Sequence, residues 1–140
     1  MQLQKAVLDS LYLFNKSPDH RIYTLAEFNH YCIFPLLHSK AQIFYNGTKP
    51  IGFVSWAWLT SDEAQNFLDE RWIPDEQAYK RPDIVTEDLQ LWGIEFIAPF
   101  GSTLKVMRGM MKYSQTVFGQ RVPVNWRRFK QPDLKHTKEL

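Results

Sequence analysis

Two side chains far apart in the chain, His20 and Glu95, have the chemistry of an acid–base pair. His20 closes the loop Ser17-Pro18-Asp19-His20 between two helical stretches, and catalytic groups tend to lie in loops on a rigid scaffold. Histidine titrates near neutral pH, which suits a general base. Ser17 is placed to cap the turn or to donate a hydrogen bond in the same site. An ordinary Asp-His-Arg surface turn explains these residues equally well, and the loop alone does not decide.

Glu95 lies in a strand pattern that runs from Leu89 to Ala98. Counted at alternate positions, it shares one face with apolar neighbours. These are Leu89, Leu91, Gly93 and Ile97. Because an unpaired buried carboxylate is costly, Glu95 should have a partner or a neutralised charge. A structural ion pair or a charge at the sheet edge is the alternative.

The turn after this strand, Pro99-Phe100-Gly101-Ser102, leads into the next helical pattern. Backbone N–H groups near Phe100 and Gly101 would be free at the start of that helix, with Ser102 as its N-cap. Such groups can bind a phosphate or a developing oxyanion. Every helix has such a terminus, so the signal is weak by itself.

Metal and thiol chemistry are not predicted. The other histidines, His30, His38 and His136, have no metal-ligand spacing with one another or with a carboxylate. Cys32 is the only cysteine, which excludes an intramolecular disulfide and a cysteine-based zinc site. Its apolar, helical context favours a core thiol over a nucleophile.

Composition and charge limit the classes of protein to which this chain can belong. A chain of 140 residues with 15% aromatic residues predicts one packed domain. The net charge of +2 is too small to indicate nucleic-acid binding, although bases collect after Leu104 and could attract an acidic partner. No apolar run reaches transmembrane length and no signal-peptide pattern is present. We therefore expect a cytoplasmic protein without stable membrane insertion.

Local signals predict the elements that must position these residues. Helical spacing marks residues 2–14, and the capping boxes at Thr24 and Thr60 open two more helices. Strands at 42–45 and 51–58 flank an Asn-Gly turn. A helix over 102–113 and a strand over 118–126 complete the order, with 69–88 expected to be mostly a surface loop. The fold class is therefore α/β (α+β), with a single, largely antiparallel central sheet flanked by helices.

Three segments, in order and spacing, resemble the toxin-activating lysine acyltransferases that fatty-acylate RTX protoxins. These segments are Ser17–Arg21, Ser55–Leu59 and Glu95–Gly101, and the resemblance covers about residues 5–125. It implies a fold similar to the Gcn5-related acetyltransferases. It also implies transfer of a fatty acyl group from acyl carrier protein to a lysine of a partner polypeptide, without a bound cofactor. The family's essential histidine, nearby serine and catalytic aspartate fall on His20, Ser17 and Glu95, so the last position carries one extra methylene.

This resemblance leads to a specific set of expectations. His20 acts as general base on the acceptor, with Glu95 supporting the imidazolium. Basic side chains after the strand steer the carrier protein, and two tryptophans line an acyl tunnel or pack in the core. The basic residues are Arg108, Lys112, Arg121 and Arg127, and the tryptophans are Trp56 and Trp58. The acyltransferase domain is expected to span residues 1–128, followed by a polar tail at 129–140.

Two other functions remain open on the sequence. One is a family member that matures a microcin by joining a siderophore-derived group to a peptide terminus with a partner subunit. The glutamate at position 95 and the end of the chain at Leu140 favour it. The other is a non-catalytic subunit that holds a peptide along its sheet. Either a homodimer or a partner subunit is compatible with the sequence.

Overall fold

Four strands form one sheet in the order β1-β2-β3-β4 in the computed structural model, which describes residues 2–127. The strands are β1 (Ala41–Asn46), β2 (Lys49–Leu59), β3 (Gln90–Ile97) and β4 (Asn125–Trp126). The first three pair antiparallel, and β4 pairs parallel with β3. The predicted polar tail at 129–140 lies outside the described residues.

Six α-helices accompany the sheet in this part of the chain. They are α1 (Leu3–Lys16), α2 (Leu25–Phe28), α3 (Phe34–Leu37), α4 (Ser61–Leu68), α5 (Glu76–Tyr79) and α6 (Thr103–Phe118), with a π-helical turn at Asn29–Ile33 between α2 and α3. A single, largely antiparallel sheet flanked by helices confirms the predicted α/β (α+β) class. The more specific likeness to Gcn5-related acetyltransferases stays a prediction.

Both predicted capping boxes form. Thr24 accepts a bond from the backbone N–H of Glu27, and the Glu27 carboxylate accepts one from the N–H of Thr24. Thr60 and Glu63 repeat the arrangement at the start of α4. Each box pairs two N–H groups that a helix start otherwise leaves without partners.

Two helical segments need a physical explanation. A proline at position 35 is expected to bend or end the second helix near Phe34. A π-helical turn does end there, but α3 continues to Leu37. The π-helical turn before it shifts the hydrogen-bond ladder, and proline is tolerated in the first turn of the helix that follows. The 69–88 stretch is also more than a surface loop, since it contains α5, where Ala78 and Tyr79 are fully buried.

The last predicted strand is much shorter than expected. α6 runs through Phe118 and ends at Gly119, which adopts the left-handed conformation (φ 66°) that glycine accepts readily. Pro123 follows and cannot donate to a strand ladder. Only Asn125 and Trp126 of the predicted 118–126 strand pair with β3.

The two faces of the sheet bury different parts of the chain. α6 and the segment that follows it cover one face, with Val106 packed against Ile51 and Val54. The helices α1 to α5 pack on the other face. Its apolar centre includes Phe14, Phe53, Ile97, Tyr31, Phe67, Tyr79 and Trp92.

Cys32 lies in this core with no exposed surface, and burial raises the pKa of its thiol to about 12. At pH 8 roughly one thiol in 10⁴ would then be ionised, and the thiolate is the reactive form. We expect a thiol-specific reagent to label the native protein slowly, at the rate at which the protein unfolds and exposes Cys32. In denaturant the same thiol should react completely. Rapid stoichiometric labelling of the native protein would contradict a core role for this thiol.

Candidate active site

The loop from Ser17 to Tyr23 turns back against the helix that precedes it. Ser17 ends α1, and its carbonyl oxygen accepts bonds from the backbone N–H groups of His20 and Arg21, both at 3.0 Å. The N–H of Tyr23 donates to the carbonyl of His20 at 3.1 Å. These bonds direct the imidazole inward, where its edge meets the ring of Phe14 at 5.6 Å between centroids.

His20 is held between a hydroxyl and a carboxylate. Its Nδ1 lies 2.6 Å from Ser17 Oγ, and its Nε2 lies 2.7 Å from Glu95 Oε2. The residues are 8%, 5% and 4% exposed for Ser17, His20 and Glu95. The structure therefore brings together the three residues predicted to be catalytic, which we call the triad.

A β-bulge directs Glu95 toward His20. Ser55 pairs with Glu95 and Trp56 pairs with Gly93, so Ile94 is an extra residue in β3. The sequence pattern placed Glu95 on the same face as Leu91, Gly93 and Ile97. Ile97 does share the face of Glu95, which packs on the helices α1 to α5. The prediction was wrong before the bulge, because Leu91 packs on α6 and Gly93 faces the Trp126 ring.

Two further residues hold the carboxylate of Glu95 and its strand. Tyr23 donates its hydroxyl proton to Glu95 Oε1 at 2.6 Å, and the N–H of Glu95 donates to Ser55 Oγ at 3.1 Å. Burial, and then the Glu95 charge, raise the pKa of Tyr23 well above its usual range, so this phenol remains a donor. Sequence reasoning missed Tyr23 and missed this role of Ser55. The signal available for Tyr23 was its place three residues after His20 in a short loop.

The hydrogen bonds assign the protons when Glu95 is ionised. A carboxylate only accepts, so Nε2 of His20 carries the proton it shares with Glu95. Nδ1 is then the basic nitrogen, and it accepts the hydroxyl proton of Ser17. Both ring nitrogens of His20 are thus engaged. The expected role of His20 as general base on the acceptor stays a prediction.

The chain matches one family model over nearly its whole length. Residues 2–137 match the model of the RTX toxin acyltransferase family (HlyC). The chain belongs to this family. A search of curated proteins finds no match. The family assignment confirms the resemblance found in the sequence.

The two tryptophans predicted to bind the acyl chain lie on the α6 face of this acyltransferase. The indole N–H groups of Trp56 and Trp58 both donate to Asp83 Oδ1, at 3.0 and 2.8 Å. Trp56 borders a cavity of about 30 Å³ beneath α6, which Met110 and Tyr113 of that helix also line. The acyl-binding role of both residues stays a prediction.

The predicted carrier-binding bases of the acyltransferase are dispersed. Arg108 and Lys112 are exposed on α6, which packs on the face opposite the triad, and Arg121 is exposed beyond that helix. Arg127 instead lies 4.2 Å above the ring of Phe67 and donates to its carbonyl oxygen. A role for these residues in binding the carrier is untested, but the set does not form one patch beside His20.

The predicted oxyanion turn lies beyond the end of β3. The ring of Phe100 contacts Tyr12 at 5.9 Å between centroids, and Lys49 lies 4.1 Å above that ring. Gly101 adopts φ 71°, and Ser102 donates to the carbonyl of Ile51 instead of capping α6 with its side chain. The oxyanion role of Phe100 and Gly101 stays a prediction.

The described residues contain no group of three or more His, Cys, Asp or Glu side chains able to hold a metal ion. Nor does the same part of the chain include a helix long and apolar enough to cross a membrane.

Proposed function

We propose that this protein transfers a fatty acyl group from the thioester of acyl carrier protein to a lysine side chain of a partner toxin polypeptide. Membership of the RTX toxin acyltransferase family supports the reaction class. The single structural observation that carries the proposal is His20, bound on one side to Ser17 and on the other to Glu95. A carrier-protein donor would place the reaction in the cytoplasm.

The transfer begins with a neutral lysine amine at the thioester carbonyl, close to Ser17. The amine nitrogen bonds to the carbonyl carbon to form a tetrahedral intermediate. As the amine loses its proton to Ser17 Oγ, the Ser17 hydroxyl proton passes to Nδ1 of His20. The carbon–sulfur bond then breaks, and the imidazolium returns its proton, through Ser17, to the departing thiolate. The products are an amide and a free carrier thiol, and both side chains regain their starting protonation.

Glu95 contributes by stabilising the positive charge that His20 carries during the transfer. The carboxylate lies 2.7 Å from Nε2 in a site that is largely closed to water. Charges interact more strongly where solvent screening is weak, and a group already in position requires no reorganisation during the reaction. The Tyr23 and Ser55 contacts keep that carboxylate and its strand in place.

Acyl transfer can be measured directly with purified protein, myristoyl–acyl carrier protein and an RTX protoxin. We expect release of one carrier thiol for each myristoyl group gained by the protoxin. Peptide mass spectrometry should locate that group on a lysine side chain. The enzyme-free mixture is the control for spontaneous transfer.

Other outcomes of that experiment identify the alternative functions. A microcin precursor peptide and a siderophore-derived donor are tested in parallel. Modification of the peptide terminus, with no lysine acylation in the protoxin reaction, would replace the proposal with microcin maturation. If neither donor is consumed, the protein is a non-catalytic binding subunit.

A further inference from the structure

The carboxylate of Glu95 uses its two oxygens for two different residues. Oε2 is 2.7 Å from His20, while Oε1 accepts the Tyr23 hydroxyl at 2.6 Å. The two residues stand three apart in the same loop, so one short segment holds both oxygens. A carboxylate bound at both oxygens cannot rotate about its last torsion without breaking one bond.

A glutamate needs such a constraint to act in a fixed geometry. Three side-chain torsions separate its backbone from its carboxylate, and holding such a side chain in one conformer is entropically costly. A single bond to His20 would leave the carboxylate free to turn about that contact. Misplacement by a fraction of a bond length is enough to weaken a catalytic contact.

Tyr23 is well placed to supply the constraint because its own ring is fixed on several sides. Its centroid lies 6.0 Å from Phe14, 5.3 Å from Tyr31 and 5.3 Å from His20. The ring therefore packs against α1, the π-helical turn and the catalytic imidazole together. Its hydroxyl is a donor with a set direction.

We propose that Tyr23 is the positioning residue that orients Glu95 so that its second oxygen stays on His20. The inference rests on the proposed function, since it assigns Tyr23 a part in the same proton transfer. Tyr23 contacts the carboxylate and not the substrate, so it acts through Glu95.

Tyr23 and His20 are the titratable side chains that hydrogen-bond to the Glu95 carboxylate. Other titratable side chains whose ionisation Glu95 influences come from the π-helical turn and from α5. These are Tyr31, Cys32 and Tyr79. Burial raises the pKa of all three, so each remains neutral near neutral pH. Arg127 lies next to Tyr31 and lowers that phenol's pKa in part.

Substituting Tyr23→Phe tests the inference because it keeps the ring and removes the hydroxyl. We expect kcat to fall by roughly tenfold to a hundredfold, as for loss of a hydrogen bond to a charged group, with little change in KM. The acid limb of the pH–rate profile should move to higher pH, because the carboxylate loses a donor that favours its ionised form. Tyr45→Phe is the matched control, since it removes a tyrosine–carboxylate bond to Asp9 outside the site and should change neither quantity.

Testing Tyr23→Phe in a second variant separates a positioning role of Tyr23 from a general effect on stability. In the Glu95→Asp background the side chain is one methylene shorter, which draws the carboxylate away from both His20 and Tyr23. Tyr23→Phe should then cost less than about threefold, a non-additivity expected of groups that act together. An equal loss in both backgrounds, or an unchanged acid limb, would overturn the inference.

Nuclear magnetic resonance of ¹⁵N-histidine-labelled protein distinguishes failure of this inference from failure of the proposed function. It follows the tautomer and titration of His20 without any substrate. The inference requires both to change in Tyr23→Phe and to be the same as wild type in Tyr45→Phe. If wild-type protein transfers no acyl group yet shows this pattern, the orienting role stands and the proposed reaction fails. A His20 titration unaffected by Tyr23→Phe overturns the inference even in an active enzyme.

Discussion

Replacing His20 with alanine is expected to lower acyl transfer by about 10²- to 10⁴-fold, the range that a positioned acid–base group contributes. Ser17→Ala should cause a loss of similar size, because in the proposed transfer the Ser17 hydroxyl relays the substrate proton to Nδ1 of His20. The double substitution should be little worse than either single one, since residues that act as a unit are non-additive. Single-turnover rates with myristoyl–acyl carrier protein measure all three variants.

His38→Ala supplies a matched control for this prediction. His38 also has its Nε2 2.7 Å from a glutamate oxygen, that of Glu76, but the pair is partly exposed and joins the end of α3 to α5. Its loss should leave transfer unchanged. Thermal unfolding of His20→Gln, which keeps a donor for Glu95, checks that lost activity is not lost folding. An active Ser17→Ala enzyme would contradict the relay and return His20 to direct contact with the amine.

Gly93→Ala is expected to produce the largest loss of stability among single-methyl additions to the sheet. A Cβ at this position would lie 2.3 Å from the Trp126 ring, far inside van der Waals contact. Overpacking of this kind costs typically about 1–3 kcal/mol, and here it would push β4 away from β3. Urea unfolding measures the free energy, and amide exchange at Asn125 and Trp126 reports the strand pairing.

Relief of the same clash provides the control. Combining Gly93→Ala with Trp126→Leu removes most of the ring and should restore part of the exchange protection lost in the single variant. A Gly93→Ala protein as stable as wild type would show that β4 can shift without cost.

The elements predicted well are those whose signals are local. A capping box is contained within four residues, and the Asn46-Gly47 turn sets the hairpin between its own two strands. Both are therefore visible in the sequence. The bulge at Ile94 has no such local mark, because it depends on how β3 pairs with β2. It places Glu95 on the opposite face from Leu91 and Gly93, with which the alternation had grouped it.

The buried side of α6 illustrates a second limit. Helical spacing predicts Leu104 and Met111 on its buried stripe, yet these side chains are 67% and 51% exposed. The helix instead approaches the sheet through Val106 and Gly109, where a Cβ on Gly109 would be 2.7 Å from Phe44. Glycine has no side chain and adds nothing to a hydrophobic pattern. The close approach of the α6 backbone to Phe44 could therefore not be predicted from that pattern.

The pairing of His20 with Glu95 was partly predictable from the sequence. His20 and Glu95 were each recognisable as unusual, but a contact 75 residues apart does not follow from spacing. Family resemblance joined them, and the structure then added the Tyr23 contact, which depends on the three-dimensional course of the loop.

The low exposure of the triad affects whether a lysine amine or water attacks the thioester. A serine, a histidine and a carboxylate in this arrangement are equally suited to activating water, and hydrolysis of the thioester would waste the donor. With Ser17 only 8% exposed, bulk water has little access, and exclusion of solvent suppresses such side reactions. We expect the same closure that strengthens the His20–Glu95 interaction to favour acyl transfer over hydrolysis of the thioester.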